Sequence, residues 1–329
     1  MKPIVRQLIE DKSKTVPVLS FPSTQLLGIT VRELISSAEN QALGMQKIAQ
    51  RCPIGASLNM MDLSVEAEAF GCAIKVSDDE NPTVPKGIVS SAAEIEALAV
   101  PPVGAGRTQL YIDGVKKAKE LITGIPVFCG VIGPYSLAGR LYDMTELMMG
   151  CYDEPDAMRC LLEKCTDFII AYIKAYRAAG ADGVILAEPA AGLLSPDLCA
   201  EFSVPYVKRI VAETAAEDFV FTYHNCGNTI PLIESILTVD ADIYHFGNAI
   251  ALDEMLPLIP QDKIVMGNLN PVEFRSATPE SITAQTHEIL QKCSVYPHFM
   301  MSSGCDIPAD AKWENLDAYF AAVTAFYRV

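Results

Sequence analysis

The sequence predicts a (β/α)₈ barrel, and three observations carry that prediction. Short, continuously apolar runs recur eight times along the 329 residues, and stretches of helical period separate them. The runs are apolar throughout rather than alternating, which suits parallel strands covered on both faces. No Gly-x-Gly-x-x-Gly turn follows an early strand, which weakens the alternative of a doubly wound open sheet. "GVIGPYSLAG" (130–139) is rich in glycine but lacks that spacing.

The elements follow in order. A helix in "MKPIVRQLIE" precedes the barrel as an N-terminal extension. "VPVLSFP" (16–22) is the first predicted strand and "IGASLNM" (54–60) the second. The stretch 72–104, containing "SDDENPTVPKG", reads as a hairpin-like insertion after the second strand. "IPVFCGVIG" (125–133) is the third strand. In the helix that follows, Met158, Leu161, Leu162, Cys165, Phe168, Ile169, Tyr172, Ile173 and Tyr176 form one apolar stripe, and Gly180 is placed to end it. "DGVILAEP" (182–189) is the fourth strand, and Ser195-Pro196 starts another helix. "FVFTYH" (219–224), "DIYHFGN" (242–248) and "KIVMGNLN" (263–270) are the fifth to seventh strands. Thr278 caps a helix with Pro279 in its first position, and "HFMMSSG" (298–304) is the eighth strand. No repeat, low-complexity tract or Gly/Ser linker divides the chain, so one domain over 1–329 is expected.

Half of the residues are apolar and a fifth are charged, a globular composition. A net charge of −16 repels phosphate backbones and anionic lipid, which argues against nucleic acid or membrane as partner. No apolar run reaches the roughly 18 to 20 residues a bilayer span needs. Charges interrupt any signal core near the start, and a cytoplasmic location is expected. Ten cysteines without a regular framework read as reduced, mostly buried thiols.

In a barrel, chemistry gathers at the carboxyl ends of the strands. The polar residues there are Asp62, Tyr135, Glu188, His224 with Cys226, His245 with Asn248, Asn268 with Asn270, and Cys305 with Asp306. Three of them, His224, Cys226 and Cys305, are strong soft-metal ligands. Zinc prefers thiolate and imidazole in a tetrahedral shell, and three protein ligands leave one position open for a substrate atom. A sulfur fits that position, because bound zinc deprotonates a thiol at neutral pH. Two other readings stay open on the residues alone. One is ordinary core packing. The other is a Cys–His nucleophile pair, since residues at i and i+2 of a strand point the same way.

"YHNCGNT", "VMGNLNP" and "MSSGCDIP", in that order, resemble the uroporphyrinogen decarboxylase superfamily, and within it the methylcobamide:coenzyme M methyltransferase branch. "FPSTQLLGITVRELI", "MDLSVEAEAFG", "VIGPYSLAG" and "ADGVILAEPAAGLLSP" extend the likeness over nearly the whole chain. The resemblance implies a (β/α)₈ barrel with a zinc site of pattern His-x-Cys…Cys, here His224, Cys226 and Cys305. It implies that zinc binds the thiol of coenzyme M, and that this thiol takes a methyl group from methylcobalamin on a partner corrinoid protein. A decarboxylase is the rival within the superfamily. Its Arg-rich segment after the first strand is replaced here by "PSTQLLGITV", with no arginine before Arg32 in that segment. The direction of transfer stays open, and so does the choice of acceptor among coenzyme M, another thiol and a folate.

Glu188 is expected either as a fourth zinc ligand or proton acceptor, or as a carboxylate capping a loop or helix start. His245 is expected to contact substrate or cofactor or to pack behind the ligands. Asn228 and Asp306 flank the ligand motifs and are expected to orient them by hydrogen bonds. Trp313 and His287 fall in helical stretches as packing or surface residues, and His298, at a strand start, faces the barrel bottom.

Overall fold

The computed structural model describes residues 1–328; Val329, the last residue of the expected domain, lies outside the described residues. Seven parallel strands stand side by side in sequence order: β1 Ser57–Leu58, β2 Val127–Ile132, β3 Gly183–Ala187, β4 Val220–Asn225, β5 Ile243–Phe246, β6 Ile264–Leu269 and β7 Phe299–Ser303. Helices on the outside connect them, among them Thr108–Leu121, Pro155–Ala178 and Pro279–Cys293. β1 to β7 correspond to the second to eighth predicted strands.

The first predicted strand does not form a ladder. Residues 16–20 take no regular secondary structure: Pro17 has no N–H to give, and its carbonyl is taken locally by Leu19 N at 2.9 Å. The segment still closes the ring. Thr15 bridges Ile54 in parallel on one side. On the other, hydroxyls replace the ladder: Ser302 Oγ donates to Val16 O at 2.8 Å, and Val18 N donates to Ser303 Oγ at 3.0 Å. The fold is therefore the expected barrel, with its eighth stave held by side chains.

Inside the ring, Leu58, Phe128, Ile185, Val220, Ile243, Ile264 and Met300 pack into one apolar cluster. Val5 and Leu8 of the helix Pro3–Glu10 join the same cluster, so the N-terminal extension plugs the bottom of the barrel. A second cluster lies between the strands and the outer helices. The helix Pro155–Ala178 buries the whole predicted stripe and ends where Gly180 takes a φ of +99°. Thr278 and Ser195 cap their helices as expected, accepting from Ser281 N and Leu198 N. The insertion contains a single antiparallel bridge, Lys75 to Thr83, so it is hairpin-like at that point. No helix among the described residues is long and apolar enough to cross a membrane.

Candidate metal centre at the carboxyl end of the barrel

β4 and β5 are in register with His224 opposite His245, and both side chains turn into the ring. His224 is buried, and its Nδ1 lies 3.2 Å from the carbonyl oxygen of His245. Donation from Nδ1–H to that carbonyl leaves Nε2 as the free lone pair, which is how a ligating imidazole is usually fixed. Nε2 faces Cys305 Sγ at 3.5 Å. Cys226 follows one residue after β4 ends, and the ligand atoms of His224, Cys226 and Cys305 all lie within 4.8 Å of one another.

A tetrahedral zinc with bonds of about 2.3 Å to sulfur and about 2.0 Å to nitrogen separates those two atoms by about 3.5 Å. The observed nitrogen–sulfur distance is of that size, so the donor set fits the ion in both chemistry and spacing. The two thiols are tightly coupled. A hydrogen bond from Cys305, then His224 beside it, push the Cys226 thiol down into the acid range. The same hydrogen bond, together with burial, holds the Cys305 thiol up. The pair gives up one proton easily and keeps the other, the behaviour of two like groups sharing one site. A dication between them favours loss of both.

A cavity of about 180 Å³ opens beside these residues, lined also by Val18, Met61, Asp62, Asn81, Arg140, Ala187, Pro189 and Asp306. The structure brings Asp306 to it as expected, although not to orient a ligand. One carboxyl oxygen of Asp306 accepts from Asn81 Nδ2 at 2.8 Å, which ties the insertion over the cavity. The other is buried without a partner, and burial pushes the carboxyl well above the ordinary range.

Glu188 and His245 take the second of the two roles expected for each, and the expectation for Asn228 is corrected. Glu188 neither lines the cavity nor points at the cysteines. Its carboxylate accepts from Tyr135 N at 3.0 Å and Ser136 N at 2.7 Å, capping the helix Pro134–Leu141. Burial raises it to about 7 against those N–H groups and the Ser136 hydroxyl. His245 does not reach the cavity either. Its Nε2–H donates to Ser303 O at 2.7 Å, its ring lies tilted by 33° against His224 with centroids 4.6 Å apart, and burial pushes it down to about 3, so it stays neutral. Asn228 is exposed, because β4 ends at Asn225 and the turn at Gly227 carries the chain outward. The orienting amide is Asn225, which donates to Glu188 O at 2.7 Å and accepts from Gly227 N at 2.8 Å. Its place between the two ligands in "HNCG" was the only signal for it. His298 does sit at the start of β7, bonded to Leu256 O at 3.3 Å and away from the cavity.

The family model described as uroporphyrinogen decarboxylase (URO-D) matches residues 16–326. The chain belongs to the uroporphyrinogen decarboxylase family. A curated relative, the methylcobamide:CoM methyltransferase MtbA of Methanosarcina mazei, is 30% identical over 70% of this chain and 68% of its own. A uroporphyrinogen decarboxylase of Coxiella burnetii is 27% identical over 84% of this chain and 79% of its own. Among solved structures, a methyltransferase from Methanosarcina mazei superposes with a TM-score of 0.87 at 22% identity, covering 98% of this chain and 97% of that one, which establishes the shared fold.

Proposed function

We propose that this methyltransferase moves a methyl group between a corrinoid and a small thiol, with His224, Cys226 and Cys305 holding zinc. The observation that carries the reading is the meeting of those three donor atoms within 4.8 Å at the carboxyl end of the barrel. The names of the family's methyltransferase relatives supply the corrinoid and coenzyme M as substrates to test. Zinc held there supplies the positive charge that keeps a thiol ionised near neutral pH.

The chain's own residues do the rest. The His245 carbonyl fixes the His224 tautomer, and Asn225 braces the turn that carries Cys226. The cavity beside the cysteines admits a small thiol, and the expected partner presents its methyl group from outside. In the transfer to thiol, the carbon–cobalt bond breaks with its electron pair left on cobalt, and a carbon–sulfur bond forms. Decarboxylation of an eight-carboxylate porphyrinogen fits less well. Arg140 is the only Lys or Arg among the described residues lining the cavity, and nothing in that reaction needs the soft donors. A folate acceptor, which offers nitrogen, leaves them equally unexplained.

Metal analysis paired with methylcobalamin demethylation tests the proposal. About one zinc per chain is expected, lost in Cys226→Ala and in Cys305→Ala while the circular dichroism of the barrel persists. Free methylcobalamin is expected to lose its methyl group, seen as a change in its visible spectrum, with a thiol and not with tetrahydrofolate. A protein that neither contains nor takes up zinc ends this reading.

A further inference from the structure

The two cysteines of the centre come from strands that are not neighbours, and one turn lies between them. Cys226 follows β4 and Cys305 follows β7, whereas the turn, residues 247–250, follows β5. On one side Gly247 underlies Cys226. Its N–H donates to Asn225 O at 3.1 Å, and a side chain on it would collide with the Cα and Cβ of Cys226. On the other side Asn248 meets Gly304, the residue before Cys305. A Cβ on Gly304 would stand 2.9 Å from Asn248 N and 3.2 Å from Asn268 O. The turn therefore spaces the two chain segments that carry the sulfurs.

A side chain of β6 holds this turn. The ladder between β5 and β6 ends at His245 and Met266, so the carbonyls beyond it need other partners. Asn268, 7% exposed, supplies them. Its Nδ2 donates to Gly247 O at 3.0 Å and to Ile250 O at 2.9 Å, one at each end of the turn. The backbone of Asn268 is fixed from the opposite side, since β6 stays paired with β7 through Asn268 and Leu269, opposite Ser302 and Ser303. Gly304 N then donates to Leu269 O at 2.6 Å. A short neutral amide suits the task because one nitrogen carries two N–H groups. Lysine would bring a buried charge, and a serine hydroxyl has one hydrogen to give.

We propose that Asn268 is a positioning residue of the metal centre: by clamping the turn 247–250 it sets the spacing of Cys226 and Cys305 that a tetrahedral ion requires. This rests on the zinc reading above and adds to it a residue outside the donor set. Groups that hold the ligands in place govern metal affinity almost as strongly as the ligands do.

Asn315 provides the control. It is a second buried asparagine that clamps backbone carbonyls, its Nδ2 donating to Phe274 O and to Ala277 O at 3.0 Å, and among the described residues none of its bonds reaches the turn 247–250. Asn268→Ala and Asn315→Ala are both expected to lose stability in denaturant unfolding of the full chain. Zinc affinity, read by competition with a chromophoric chelator, is expected to fall about 10- to 100-fold in Asn268→Ala only. The cobalt(II)-substituted protein should show the change directly, as a weaker sulfur-to-cobalt charge-transfer band and shifted d–d bands. Asn268→Ser keeps one donor and is expected to lie between the native chain and Asn268→Ala; it carries the comparison if the alanine variant does not fold. Native zinc affinity with an unchanged cobalt spectrum in the folded Asn268 variant, or an equal loss of affinity in Asn315→Ala, overturns the assignment and leaves the zinc reading standing. A native chain that takes up neither metal removes both.

Discussion

Gly247 leaves no room for a side chain: a Cβ there would stand 2.5 Å from Cys226 Cα and 2.6 Å from its Cβ. Its N–H donates to Asn225 O at 3.1 Å, so the turn carrying Cys226 lies directly on it. Gly247→Ala is expected to push Cys226 away from His224 and weaken zinc binding by on the order of tenfold or more, read by competition with a chromophoric chelator. Unchanged zinc affinity would show that the position of Cys226 is not held by this contact. That His224, Cys226 and Cys305 meet was legible in the sequence, from their place at strand ends together with the family resemblance, although the residues alone left core packing and a nucleophile pair open. The first role expected of Glu188 and of His245 fails for a common reason. Position at a strand end says that a side chain is near the barrel mouth, but not whether it meets a helix N-terminus or a neighbouring ring. Arg140 escaped notice because it lies in a helix, seven residues past the last residue of the predicted third strand, and only packing reveals that it lines the cavity.

The helix Val65–Ala69 follows β1 and is tied to β2 by Glu66, which is 1% exposed. Burial raises this carboxyl from the ordinary 4.5 to about 7, with the Ile132 N–H pulling the other way. As pH rises, the unfolded chain loses the proton first, so the folded state binds more protons between those two values. The contribution is present below about pH 4.5 and lost as the pH passes 7. It amounts to about 3 kcal/mol at most. Glu66→Gln keeps an oxygen for Ile132 N and cannot ionise. Denaturant unfolding at pH 5 and pH 8 is expected to show the native chain losing more stability than the variant over that interval. Equal losses would mean that Glu66 titrates normally in the folded protein. Elements of this kind are only half visible in sequence. The long amphipathic helices and their caps could be read because period and capping chemistry are local. The role of the short helix could not, since it depends on one carboxylate finding a strand 66 residues away.

At the scale of the whole barrel, closure depends on a seam that is not a β ladder. The alternation of apolar runs and helices was enough to read a ring of eight, but Pro17 denies the first of them a regular place in it. The hydroxyls of Ser302 and Ser303 take over, holding Val16 O and Val18 N from the neighbouring strand. All of these groups are buried, so each lost hydroxyl leaves a backbone group without a partner. Ser302→Ala and Ser303→Ala are each expected to cost about 1–3 kcal/mol in denaturant unfolding. The pair should cost less than the sum, because once one bond is gone the segment is freer to find water. The seam also reaches the site: Val18 lines the cavity, its carbonyl accepts from Ile307 N at 3.0 Å, and Ile307 lies two residues beyond Cys305. Loosening it should therefore lower zinc affinity as well as stability, although neither serine is expected to touch the ion. A double variant that unfolds more easily yet binds zinc as tightly as the native chain would separate barrel closure from the metal centre. That result would place the support for Cys305 in β7 and its own turn alone.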